Sequence, residues 1–410
     1  MIKQTQTKYF DFSDVGLDFC AGSKNKFPEV FKKILATGFN LQTASSVSIA
    51  GSQITLTFGV NHGYVADRIL KVEATGGFNK EIYIDSVTTN TVVCTVLDGN
   101  TTGLTGTIST KIAPLGWTLV YENGLVQLYK MKYLDERDLY VRYVFSAGGE
   151  RRNTINVCTG KTANEVTGEI TDENAIDAFK SHTVATNGFE WVFEHSINTS
   201  YDNYTYSQGL TTFGPGKIVG SKYHLVFLCN VSQSQYFGRV LAILPTCTLA
   251  YSILDYPLVI GGYYTTPVTS SSIGFGNQIA NPDPPNADAY LGKTPVSIAP
   301  GPKNGFETNQ NLNAISSFLP SNIDAFDTTA TSTIQLYELT TKQGIGVVAG
   351  GLFRVFYQLA TRPSRNKPDT PLITYDVDFN NICVLHPLYI GSSPDYTLYM
   401  VAPIEEIKIA

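Results

Sequence analysis

Five histidines, His62, His182, His195, His224 and His386, are the side chains best suited to hold a metal or move a proton, and they lie far apart in the chain. None forms the His-x-x-x-His or His-x-His spacing that turns two imidazoles toward one ion. His62 stands in Asn61-His62-Gly63, a tripeptide that reads as a turn. Carboxylates gather twice: Asp135, Glu136 and Asp138 around Arg137, and Glu169, Asp172 and Glu173 further on. Glycoside hydrolysis needs two carboxyls at a set separation across a cleft. The first group instead reads as a solvated hairpin turn, and the second as the acidic first turn of a helix capped by Thr171.

Cysteine offers as little. Cys20, Cys94, Cys158, Cys229, Cys247 and Cys383 are widely separated, with no Cys-x-x-Cys pair, so neither a zinc site nor a disulfide framework is expected. They read as small buried hydrophobes of a reducing compartment. No Gly-x-Ser-x-Gly elbow is present. The glycine-rich run 344–350 lacks the Gly-x-Gly-x-x-Gly spacing and a βαβ setting, and reads as a flexible approach to a strand. No residue is therefore assigned a catalytic, cofactor-binding or metal-binding role, no cofactor is implied, and the chain is expected not to be an enzyme.

Bulk properties narrow the partners. A net charge of −6, from 29 basic and 35 acidic side chains without a basic block, argues against bulk nucleic-acid binding. Only 16% of the 410 residues are charged, and there are 24 Tyr and 22 Phe, a composition that suits surfaces covered by other subunits. Met1 to Thr7 contain no apolar leader and no run approaches eighteen apolar residues, so neither a signal peptide nor a membrane span is expected.

The elements that position these residues are mostly strands. Residues 1–26 read as an extended arm that packs on its own domain or on a neighbour. Pro28, the apolar set Val30, Phe31, Ile34 and Leu35, and the stop at Gly38 predict one short helix. Val47 and Ile49 alternate with polar residues, as do Ile54, Leu56 and Phe58 beyond the turn at Gly51, which predicts a hairpin. Further ribbons follow at 69–74, 82–84 and 91–96, and a last hairpin pairs Val126, Leu128 and Lys130 with Leu139, Val141, Tyr143 and Phe145. Residues 261–313 are crowded with Gly, Pro, Ser, Thr and Asn, and read as a long irregular loop unable to pack as a sheet. Strand patterns resume at 332–337 and run to 409. Trp117 and Trp191 read as core residues, not ligand platforms. The expected fold is mainly β: antiparallel sandwich or barrel-like domains with a few short helices.

Several pieces follow one another in a set order: Gly38-Phe39 at the helix end, Gly76-Gly77-Phe78-Asn79-Lys80-Glu81, Thr88-Thr89-Asn90-Thr91, Thr105-Gly106-Thr107-Ile108, an Ala-Pro-x-Gly-Trp signature at Ala113 to Trp117, and Tyr129-Lys130. That order resembles a family of tailed-bacteriophage virion structural proteins. The resemblance covers about a hundred residues and fades after Phe145. Beyond it the family's next helix would fall at 173–180, its Trp-containing strand at Phe189-Glu190-Trp191, and its aromatic strand at 223–227. A Phe-Gly-Asp step of such proteins stands here as Phe237-Gly238-Arg239, so the acidic member is missing and no site is carried over.

The resulting division is an arm at 1–26, a helix plus β-module at 27–145, a second β-rich domain at 146–260, the loop at 261–313, and strands at 314–410 that complete the second domain. The resemblance implies a non-enzymatic structural subunit of the virion, assembled in the bacterial host cytoplasm. Its implied partners are copies of itself, in a ring or trimer of the tail, tail tip or neck, and other tail or neck proteins. On this reading the arm and the 261–313 loop interlock with neighbours. The alternative is a receptor- or carbohydrate-binding module exposed at the tail end, with host surface glycan as its ligand.

Overall fold

The computed structural model describes residues 3–149, 152–193, 198–230, 238–264, 289–298, 330–356, 363–364, 370–376, 381–389 and 397–407. Within them the chain is mainly β, and every strand pairing is antiparallel, as the alternation of apolar residues predicts. The 173–180 segment is the clearest departure. It holds only the 3-10 turn Asp177–Phe179, because Thr171 gives its hydroxyl to Thr162 and Asp172 is drawn into bonds with Lys161, Asn174 and Tyr256 instead of capping a helix.

The first sheet takes residues 39–112. Its order is Phe39–Ala44, Ile108–Ile112, Ile69–Ala74, Asn79–Val87, Thr91–Thr95, Gln53–Thr57, Ser46–Ala50. The two outermost strands are neighbours in sequence, joined by Ser45 alone, so the sheet has to curl back on itself as a partial barrel. Ile54, Leu56, Leu70, Val72, Ile82, Ile84, Val92 and Cys94 fill its inside. The hairpin at Ala50-Gly51-Ser52 forms as the sequence predicts, with Gly51 at φ +64°.

A six-stranded sheet follows, in the order Gly262–Tyr264, Gly188–Val192, Thr154–Gly160, Asp138–Phe145, Val126–Lys132, Thr118–Asn123. Against it lies a ten-stranded sheet that opens with Lys8–Asp11, Gly216–Ser221, His224–Asn230 and Gly238–Leu244. It continues through Leu258–Ile260, Ala289–Leu291, Thr294–Ser297, Gln335–Glu338 and Gly344–Val348 to Thr246–Thr248. Only Pro245 separates Gly238–Leu244 from Thr246–Thr248, so one bent ribbon serves both ends of that run and closes it into a second ring. The fourth sheet is C-terminal: Ala330–Thr333, Phe353–Phe356, Thr397–Pro403, Asn381–Tyr389, Leu372–Asp376.

Three expectations are corrected here. The 261–313 stretch is not wholly irregular, since it supplies Gly262–Tyr264, Ala289–Leu291 and Thr294–Ser297; Pro295 is accommodated opposite Tyr290 in a short pairing. The remainder of that stretch, 265–288 and 299–313, lies outside the described residues. Gly344–Val348 is a strand and not an approach to one, and Gly346 comes so near the Thr246–Thr248 strand that an added Cβ would stand 2.5 Å from the Cys247 carbonyl oxygen. The arm does not reach for a neighbour with residues 8–19. Lys8–Asp11 pairs with Gly216–Ser221, and Phe10, Phe12 and Phe19 are buried in the chain's own core.

That core is continuous from Tyr9 to Ile404 across the four large sheets. Phe31 of the short helix Phe27–Lys32 sits at its centre, with ring contacts to Tyr143, Phe145, Trp191 and Phe227. The helix forms where Pro28 and the apolar spacing predict it, and its last turn, Lys33–Thr37, widens to π geometry before Gly38 at φ +74°.

Candidate functional site

The histidines are not brought together. The His62 ring accepts the Tyr64 N–H at Nδ1 and donates from Nε2 to the Thr88 carbonyl, both at 2.9 Å, which fixes the loop beside the partial barrel. His224 lies against the Ser221 hydroxyl at 2.9 Å, and His386 donates from Nε2 to the Cys229 carbonyl at 3.1 Å. His182 gives its carbonyl to the buried Arg142, and His195 lies outside the described residues. Among the described residues no three His, Cys, Asp or Glu side chains converge as a metal site. Five of the six cysteines are buried, and Cys247, in the middle of the strand Thr246–Thr248, is exposed.

The first carboxylate group is spread over separate ion pairs, and in the second Asp172 is held by hydrogen bonds. Asp135 and Asp255 both face Arg137, and Asp255 also takes Lys161 at 3.0 Å. Glu136 accepts from Lys222 at 3.1 Å and from the Tyr223 hydroxyl, and Asp138 pairs with Lys132 at 2.7 Å. Asp172 accepts the Lys161 N–H at 2.7 Å and the Tyr256 hydroxyl at 2.8 Å. Burial alone raises the carboxyls of Asp172 and Asp255, yet these donors hold both below the ordinary range. Glu136 is lowered as well, first by Tyr223 and then by Lys222. A glycosidase acid needs the opposite shift.

The Ala-Pro-x-Gly-Trp signature is an architectural clamp. The amides of Gly116 and Trp117 both donate to the Leu35 carbonyl, and the Leu115 amide donates to Ile34. These bonds satisfy carbonyls that the helix end leaves open. Gly116 turns the chain at φ +89°, and Trp117 then inserts its ring, with the indole N–H on the Ser221 carbonyl at 2.9 Å. Trp191 is equally structural, donating to the Ile260 carbonyl at 2.8 Å inside the aromatic core. Both tryptophans sit in the core, as the sequence predicts.

Two surface features remain. The first is a tip on the loop after Thr246–Thr248, where Leu249, Tyr251 and Ile253 point outward, Tyr251 with 63% of its surface exposed. It is held rigidly: the Leu249 amide donates to Ile345, Lys161 Nζ reaches the Ser252 carbonyl at 3.2 Å, and Thr248 Oγ1 reaches Leu254 at 3.2 Å. The ion pairs of Asp255 with Arg137 and Lys161 anchor its base. Sequence reasoning missed this tip, although Leu249, Tyr251 and Ile253 alternate within a run free of charge. The second is a groove of about 440 Å³ where the turn 13–18, the short helix and the start of the helix Tyr206–Phe213 meet. Asp18, Lys26, Glu29 and Tyr204 line it. Three distant segments make it, so no local pattern announces it.

No family model matches the chain, and no curated protein matches it. Among the described residues no helix is long and apolar enough to cross a membrane.

Proposed function

We propose that the chain is a non-enzymatic structural subunit of a tailed-phage virion, forming a homo-oligomeric part of the tail, tail tip or neck. The observation that carries the reading is the Leu249–Tyr251–Ile253 tip. Three large apolar side chains on a rigidly braced loop lose little entropy on docking and gain by being covered, which is the character of an interface anchor. The phage-like stretch supports it, since its signature joins a helix end to the body of the chain and presents no reactive group. Lateral contact then comes from folded surfaces and not from the arm, whose residues 8–19 are used internally. Repetition of such contacts around a ring gives firm attachment from individually weak ones.

Mass spectrometry of purified particles tests this. The chain is expected in mature particles at a fixed multiple of a symmetric ring; its absence from them overturns the reading.

One observation favours a second reading, a receptor- or carbohydrate-binding module. Tyr204, Asp18, Glu29 and Lys26 line the groove, a combination of aromatic and hydrogen-bonding residues that a sugar could use. Glycan-array binding that is lost in Tyr204→Ala would select it over the first.

A further inference from the structure

We propose that the C-terminal five-stranded sheet is an acid-released latch, seated on the strands His224–Asn230 and Gly238–Leu244 through two fully buried neutral histidines.

The sheet has two unlike faces. Val384, Leu388, Leu398, Met400 and Ala402 belong to the main core, whereas Cys383, Leu385, Tyr399 and Val401 form a small cluster of their own with Val355. His386 lies on the inward face, one residue in two along Asn381–Tyr389, and its ring packs against Gly238, where an added Cβ would stand 2.5 Å from Nε2. His224 comes from the other side of the seat. Its ring packs against Gly351, just before the strand Phe353–Phe356, where an added Cβ would stand 2.7 Å from Cδ2. Each histidine thus belongs to one partner and touches a glycine of the other.

Both rings are 0% exposed, and each has one nitrogen with a neutral hydrogen-bond partner and one with none among the described residues: Nε2 of His224 and Nδ1 of His386. A second proton on either ring would be a buried charge with no acceptor among the described residues. Neither is in an ion pair with a carboxylate among the described residues. The charged residues on the elements around them are Lys217, Arg239 and Arg354, all cations, and Asp376 at the far end of Leu372–Asp376, opposite Asn381. The other titratable groups there are Tyr223, Cys229, Tyr375, Cys383, Tyr389 and Tyr399, of types neutral at physiological pH. Burial holds both imidazoles down at about 3, against an ordinary value of 6.5. The seated form therefore excludes protons that the released form accepts below pH 6.5, so seating is complete above that value and weakens as pH falls from 6.5 toward 3.

Release separates the inward face of the sheet from Val226, Leu228, Val240 and Ala242, while the partial barrel at 39–112 has no part in the seat. Hydrogen exchange of the full-length protein, corrected for intrinsic pH dependence, reads the two regions separately. Between about pH 6.5 and pH 5.5 the opening constant of peptides in 381–389 and 397–403 is expected to rise about 30-fold for two protons taken up, and about 5-fold for one. The barrel stays protected over the same range. The variant His224→Asn with His386→Gln keeps hydrogen-bonding side chains without the titration, and is expected to flatten that slope. A slope near zero in the natural protein, or loss of barrel and C-terminal protection in step, overturns the latch. So does a slope unchanged in the double variant; if that variant does not fold at neutral pH, the natural protein's slope decides alone.

Discussion

The indole N–H of Trp117 donates to the carbonyl of Ser221 at 2.9 Å, across 104 residues of sequence. Ser221 ends the strand Gly216–Ser221 in the long sheet, so this hydrogen bond ties the stretch Ala113 to Trp117 to the body that follows it. Trp117→Ala removes the ring and leaves a cavity in the core, at an expected cost of about 3 to 5 kcal/mol. Trp117→Phe keeps most of the apolar volume but strands the carbonyl, at about 1 to 3 kcal/mol. Urea denaturation midpoints of the two variants check both numbers and their order.

Asp14 and Arg68 form a buried pair between the N-terminal segment and the partial barrel. Both Asp14 oxygens accept from the guanidinium at 3.0 Å, and the Arg68 Cζ lies 3.9 Å from the Tyr9 ring centroid. Asp14→Ala leaves the guanidinium buried and alone, which is expected to destabilise by about 3 to 5 kcal/mol. Combining Asp14→Leu with Arg68→Met removes both charges and is expected to recover most of that loss. A double-mutant cycle by chemical denaturation measures the coupling.

Acid stability is expected to have a second contribution, from carboxyls, that overlaps the lower end of the histidine range. Burial raises the Asp11 carboxyl, but Lys217 outweighs it and holds the group below its ordinary 3.8. A carboxyl lowered on folding contributes stability that is present above its unfolded value and disappears as pH drops through the folded one. Thermal midpoints are therefore expected to decline again below about pH 4, and Asp11→Asn is expected to make that limb shallower. An unchanged limb in the variant would count against the Asp11–Lys217 contribution.

Leu249→Ser, Tyr251→Ser and Ile253→Ser together should leave the fold almost untouched, because exposed positions away from special features change stability by only about 0.5 kcal/mol each. Self-association is where the effect belongs. Sedimentation of the natural protein and the triple variant separates the two, and equal association by both removes the tip from the interface.

Gly38→Ala tests a backbone requirement. The residue has φ +74°, and a Cβ there would stand 2.3 Å from the Ile112 carbonyl oxygen. Strain and clash together are expected to lower the denaturation midpoint clearly, whereas Gly51→Ala, with φ +64° and open space around it, is expected to cost less.

Much of this architecture is legible where the determinants are local. Alternation at Ile54, Leu56 and Phe58 marks the buried side of its strand, although Ile49 across the hairpin is exposed. The strands Val126–Lys132 and Asp138–Phe145 form where expected but are buried on both faces, and the turn residues fix where the strands reverse. Distant pairings are not legible that way. Nothing near Pro245 reveals that its strand serves both ends of a ring, because the partners lie as far away as Val348. The acidic run near 172 carries the composition of a helix start, but Tyr256, 84 residues on, claims Asp172. Proline and glycine at 289–297 speak against a sheet locally, and pairing to strands already in place overrides them. The groove escapes for the same reason, while the tip carried a local signal in its alternating apolar residues.

Gln6 donates to the Ile407 carbonyl and accepts its amide, 401 residues away, and the Thr7 hydroxyl donates to the Glu405 carbonyl. The ribosome makes Gln6 long before it reaches Ile407, so a nascent chain holds the start of its edge strand without this cover until those 401 residues have been added. Slowing elongation late in the message lengthens that exposure, and chaperone demand during translation is expected to rise accordingly.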